Sequence, residues 1–195
     1  MKKILYLLLF FPVLQTQAQQ WEKNYDYTDN FACGLAKVKK NNQTGYVNNK
    51  GTEIVKLQYQ DGLAFSEGYA AVKKDDQWLF LDSTGKAITE PIFDDALSFS
   101  GGLAPVAKNG LYGYINMAGQ LVIAFAFAFT NAHNFTEGLA PASNTKRLWG
   151  YVDAKGNWVI APVYDYTECF ANGEARVNKN SKTFYIDKRN NVLHE

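Results

Sequence analysis

The chain has little of what catalysis and metal binding usually need. Among 195 residues there are two histidines, His133 and His194, and two cysteines, Cys33 and Cys169. There is no CxxC, no paired-histidine spacing and no calcium-loop pattern, so neither a metal site nor a resident cofactor is expected. No Gly-x-Ser-x-Gly elbow is present, and neither cysteine has a histidine near it in sequence. The glycine pair Gly101-Gly102 lacks the spacing of a phosphate loop. An excess of charge is also missing: 20 basic residues stand against 19 acidic ones. A near-neutral, mixed surface does not offer the basic stripe that a phosphate backbone requires, so nucleic acid is excluded as a partner.

Long apolar runs are confined to the start. Lys2 and Lys3 precede the apolar run from Ile4 to Leu14, and Thr16 and Ala18 supply small residues at −3 and −1 of a cleavage point. The run is shorter than the ~20 residues that a membrane-spanning helix needs, so residues 1–18 are expected to be a secretory signal peptide. Cleavage near Ala18 would leave 19–195 as an extracytoplasmic domain, periplasmic or secreted, with no membrane insertion. Loss of the two lysines leaves 18 basic against 19 acidic side chains.

What the chain does have is repetition. Phe31, Phe65, Phe99, Phe135 and Phe170 start five units, and each is followed three residues later by Gly34, Gly68, Gly102, Gly138 or Gly173. A Leu-Ala-x-Val-like block comes next, and ten or so residues on there is a block such as Gly45-Tyr46-Val47-Asn48 or Gly150-Tyr151-Val152-Asp153. The runs are short, rich in Tyr, Phe, Val and Ile, and broken by Gly and Asn, which predicts strands and excludes long helices. Each unit reads as three strands. The x position of the first block (Lys37, Ala71, Pro105, Pro141, Arg176) is expected to face outward, at a sheet edge that tolerates proline. Asn48, Asp82, Asn116, Asp153 and Asp187 each precede Gly51, Gly85, Gly119, Gly156 or Asn190 by three residues, which predicts a structural Asx turn with a left-handed fourth residue. The linkers ending in Asp26, Asp94 or Asp165 are expected to return the chain to the next unit, and the acidic pairs Asp75-Asp76 and Asp94-Asp95 to be solvated loop charges.

A linker-like segment, Trp21 to Asp26, precedes unit one, and unit five lacks its own. The array is therefore a tandem of five three-stranded β repeats, either a closed propeller-like ring completed by that segment or an open β-solenoid capped by it. Cys33 and Cys169 lie at matching corners of units one and five, so a disulfide between them would favour closure.

The stretch Trp149-Gly150-Tyr151-Val152-Asp153, with Lys155-Gly156 and Ile160-Ala161-Pro162-Val163-Tyr164-Asp165, resembles the bacterial WG (KWG) β-repeat family. The resemblance implies a β-repeat array with no catalytic residues to carry over. It departs from the motif at Leu79 and Phe184, which stand where other units have glycine. Trp78, Tyr112 and Trp149 share one position in the repeat and are candidate rings for sugar stacking or protein contact; packing on the next unit is the competing role. The alternating Ala124-Phe125-Ala126-Phe127-Ala128-Phe129 predicts a strand with all three phenylalanines on one face. The chain is thus expected to be an exported, non-enzymatic scaffold for a protein or glycan partner. The alternatives are a hydrolase-like enzyme with a site built from non-equivalent loops, and a purely structural envelope protein.

Overall fold

The computed structural model describes residues 20–128 and 135–195; the leader, Phe129 and His133 lie outside them. A 3₁₀ helix over Gln20–Asn24 leads into five antiparallel sheets. Sheet one comprises β1 (Tyr27–Thr28), β2 (Leu35–Lys40), β3 (Gln43–Asn48) and β4 (Glu53–Tyr59), in that spatial order. Sheet two has β5 (Asp61–Gly62), β6 (Tyr69–Lys74) and β7 (Gln77–Asp82). Sheet three has β8 (Asp95–Ala96), β9 (Leu103–Lys108), β10 (Leu111–Asn116) and β11 (Leu121–Ala128). Sheet four has β12 (Ala140–Ser143), β13 (Trp149–Val152) and β14 (Trp158–Tyr164). Sheet five has β15 (Tyr166–Thr167), β16 (Glu174–Lys179), β17 (Lys182–Asp187) and β18 (Val192–His194).

The unit is therefore larger than the three strands expected, because the linker is itself a strand. β1, β5, β8 and β15 each pair with the strand that follows them. The segment before Phe31 accordingly belongs to sheet one, and sheet five has its own in β15. The offset that would have left unit five incomplete disappears. The linker carboxylates are structural too. Asp26, Asp94 and Asp165 accept the N–H of Asn41, Asn109 and Asn180 at 2.8, 2.6 and 2.7 Å, capping the tip of the next hairpin. In unit two Gln60 does the same for Asp76. Asp75 and Asp76, expected as loose loop charges, occupy the two central turn positions, both with positive φ, as a type I′ hairpin demands.

The second turn of each unit is held by its Asx side chain. Oδ1 of Asn48 accepts from Lys50 and Thr52 N–H at 2.9 and 3.0 Å. Asp82, Asn116, Asp153 and Asp187 make the same pair of bonds. The fourth residue is left-handed throughout, Asn190 included at φ 68°. Hydrogen bonding to Thr84 holds the Asp82 carboxyl below its ordinary value, and bonds from Asn157 and Asn191 do so for Asp153 and Asp187. Carboxylates with depressed folded pKa values add stability above their unfolded value, near pH 4, and lose it as pH falls through the folded value. Asn48 and Asn116 fill the same role without titrating. The triple variant Asp82→Asn, Asp153→Asn, Asp187→Asn should therefore unfold at lower pH than the parent in an acid titration followed by circular dichroism. An unchanged acid midpoint would count against the carboxylate caps.

Stacking of the sheets face to face makes the core. Ala70, Val72, Leu79 and Leu81 of unit two close over Leu35, Tyr46 and Val55 of unit one. Ala104, Val106 and Ile115 of unit three close over Ala71 and Phe80. Units three and four, and four and five, repeat the arrangement. From unit two onward the signature phenylalanine inserts beside the second-strand ring of the unit before it: Phe65 at 4.9 Å from Tyr46, Phe99 at 5.2 Å from Phe80, Phe135 at 5.1 Å from Tyr114 and Phe170 at 4.7 Å from Tyr151. Because both faces of an internal sheet are covered, Ala71, Pro105 and Pro141 at the x position are buried. The outward placement expected for that position holds only for Arg176, on the outer face of sheet five. Pro105 still fits, since its carbonyl accepts from Leu97 just beyond the two-residue β8.

The tryptophan-glycine position has a steric explanation. A Cβ on Gly45, Gly113 or Gly150 would lie 2.6, 2.5 or 2.3 Å from the carbonyl oxygen of Val55, Ile123 or Ile160 on the outer strand. There the outer strand inserts two extra residues, pairing Tyr46 with Val55 but Thr44 with Tyr59, and the same shift recurs in units three and four. The bulge turns the middle residue to the opposite face. Phe125 consequently packs towards unit two while Phe127 packs towards unit four, so the two do not share the face that alternation predicts. In unit two Leu79 replaces the glycine, and the outer strand is reduced to isolated bridges, Trp78–Phe93 and Leu81–Ala87.

The two ends differ from the joints. Trp21 and Tyr25 pack over Ala36, Val38 and Val47, the face of unit one that has no preceding sheet. Phe31 rests against Trp21 and is 38% exposed, against 1–7% for its four counterparts. At the other end Tyr185 stacks on His194 at 4.4 Å, where a sixth phenylalanine would otherwise sit. Trp21→Ala should cost about 2 kcal/mol, because the ring is only part-buried. Hydrogen exchange should then speed up in β2 and β3 before any other strand; uniform loss of protection would contradict a local cap.

Candidate binding groove

The rings aligned by the repeat do not form an exposed row. Tyr112 and Trp149 are each 8% exposed and lie in the joints between units three and four and units four and five, and half-buried Trp78 packs in the joint between units two and three. The Tyr112 hydroxyl donates to Asp95, and burial with that carboxylate beside it pushes the phenol pKa far up. Trp149 meets Tyr166 edge-on at 6.3 Å. The Asx residues are engaged in their turns. Among the described residues no three His, Cys, Asp or Glu side chains converge as cation ligands. Cys33 is exposed at a left-handed corner (φ 52°), whereas Cys169 is half-buried beside the Thr136 hydroxyl, and burial raises its thiol pKa.

A concave surface lies elsewhere, along the outer edge of unit three. β11 is the last strand of its sheet, and among the described residues no strand pairs with its outer side. Between β11 and unit four is an open groove of about 520 Å³. Its near wall is Val122, Ala124 and Ala126, all exposed, and its base includes Ile123 and Phe127. Gly156 of the β13–β14 turn sets the depth, since a Cβ there would come within 2.7 Å of Ile123. The far wall is Trp158, 38% exposed and held edge-on to Phe127 at 5.7 Å. Polar groups lie at its two ends, Asn144 and Thr145 from the β12–β13 turn and Lys155 from the β13–β14 turn.

The Asn144–Thr145 end arises from a local length change. Unit four joins β12 to β13 not by a two-residue hairpin but by a further Asx turn, in which Asn144 Oδ1 accepts from Lys146 and Leu148 N–H at 2.9 and 3.1 Å. Arg147 takes the left-handed position at φ 62°. Two basic side chains therefore stand beside the groove on a turn that other units lack. Trp158 escaped the repeat-based search because it sits where other units carry Glu53, Ala87, Leu121 or Val192. Departure from the repeat is the signal that could have found it.

A model of the WG-containing repeat matches the chain five times, over residues 22–43, 45–78, 80–112, 112–145 and 149–182. No curated protein is recognisably similar in sequence. Among solved structures, Hsv2 of Kluyveromyces lactis is similar with a TM-score of 0.51 and 11% identity, over 86% of this chain and 63% of that one. A eukaryotic initiation factor is similar with a TM-score of 0.52 and 8% identity, over 87% and 58%. The WD40 β-propeller domain of Doa1 is matched more loosely, with a TM-score of 0.46 and 9% identity over 87% and 68%. The chain spans less than two thirds of the length of the first two, and at these identities the likeness is one of fold alone.

Proposed function

The chain belongs to the family of WG-containing repeats, and on that footing we propose that it is an exported, non-enzymatic scaffold which holds a protein or glycan partner. The observation that carries this is the groove beside β11, where Val122 and Trp158 stay exposed while Tyr112 and Trp149 are buried in the joints. Apolar surface left open in a defined concavity is the usual mark of a binding site. The mature chain, residues 19–195, should retain a partner from an extracellular fraction or bind on a glycan array. Clean negatives in both would remove the scaffold reading. Export is tested separately by the N-terminus of the processed protein, expected at Gln19.

We further propose that the five units form an open, capped arc. Glu174 and Arg176 occupy the outer face of sheet five at positions where internal units place Leu103, Leu139, Pro105 or Pro141. A polar outer face is what a terminal repeat needs to stay soluble. A salt bridge from Arg176 to Glu168 at 3.0 Å and a contact between His194 Nε2 and Glu174 at 3.2 Å run over that face. In an open arc Cys33 and Cys169 are four units apart and should both alkylate in unreduced, denatured protein. Recovery of a Cys33–Cys169 disulfide peptide by mass spectrometry would instead establish closure.

A further inference from the structure

Resting on the scaffold reading, we infer that the groove takes an extended peptide segment of a partner protein, added as a further strand along β11, with alternate apolar side chains and an acidic residue at the Lys155 end. Three features carry this. First, β11 spans eight residues, the longest described strand of the array, and ends its sheet, so among the described residues no strand occupies its outer edge. Strand addition of this kind derives its affinity from the backbone and its selectivity from pockets for alternate side chains. Second, the groove beside that edge is walled by Val122, Ala124, Ala126 and Trp158, and the small alanines leave room beside the strand for the side chains of an extended ligand.

Third, the charge is of one sign. Lys155 lines one end of the groove, no lining residue is a carboxylate, and exposed Lys146 and Arg147 belong to the turn at the other end. An acidic peptide side chain complements Lys155. A second copy of the chain does not, because the Leu121–Ala128 edge it would offer carries no charged residue. A glycan fits less well, since sugars need several free polar side chains, and the Asn144 carbonyl oxygen is already committed to two turn N–H groups.

The test uses mature protein and a phage-displayed library of random dodecapeptides. Selected peptides should show apolar residues at alternate positions with Asp or Glu at one end, and binding should slow amide exchange in β11. Lys155→Glu should weaken the selected peptides about tenfold or more, as should Val122→Asp, and both residues are exposed, so melting temperatures should stay unchanged. Failure to enrich any such pattern, binding indifferent to both variants, or self-association through β11 in sedimentation would each overturn the inference. Glycan-array binding that Lys155→Glu abolishes would also overturn it, while leaving the scaffold reading intact. Pull-down of a partner that both variants retain would do the same.

Discussion

Gly150→Val should be among the most damaging single substitutions in this chain. Its Cβ would lie 2.3 Å from the Ile160 carbonyl oxygen and 2.8 Å from the Ala161 carbonyl carbon and the Pro162 nitrogen. None of these is a flexible side-chain end that could swing aside; they are backbone of the strand that pairs with β13. Relief requires β14 to leave, and with it the buried Ile160 and Tyr164. A cost of about 3 kcal/mol is expected, which for a domain of this size lowers Tm by roughly 6–12 °C. The chain contains its own control. Unit two carries Leu79 at the equivalent position and has already given up a continuous outer strand, so Leu79→Val should cost only about 1 kcal/mol. Equal losses for the two variants in thermal denaturation would refute the close-approach account. Because Trp158 rides on β14, Gly150→Val should also abolish binding in the groove.

The second large effect is expected at a joint. Phe99→Ala removes a ring that is 1% exposed, packed on Phe80 and Tyr69 and holding units two and three together. Such a cavity costs about 3–5 kcal/mol. Phe31 is the same letter in the repeat but abuts only the Trp21 cap, so Phe31→Ala should cost about 1 kcal/mol or less. Urea denaturation would separate the two. If the phenylalanines contribute through the turns they introduce, both substitutions should cost the same, and the insertion of one unit's ring into the next would be refuted.

The contrast between Phe31 and Phe99 also shows how far the sequence can be read. Period, all-β class and the Asx turns rest on local rules: which residues tolerate positive φ, which side chains cap a turn, which short runs favour strands. Asn190 at a glycine position was legible for that reason. Neighbouring sheets are another matter. The x position looked outward because Lys and Arg appear there, yet Ala71, Pro105 and Pro141 at that position are buried once another sheet covers that face. Strict alternation put Phe125 with Phe127, but a bulge over Gly113 parted them, and nothing within that strand records a bulge imposed by its neighbour.

The amino-acid sequence by itself determined the number of units, the all-β class and the Asx turns, because those depend on backbone sterics and hydrogen bonds between residues close in the chain. Only the tertiary structure decided that the linkers are strands, that Tyr112 and Trp149 are spent inside the joints, and that the exposed groove lies between β11 and Trp158. Those outcomes depend on which faces of successive sheets meet, and burial is a property of the stacked pair of units.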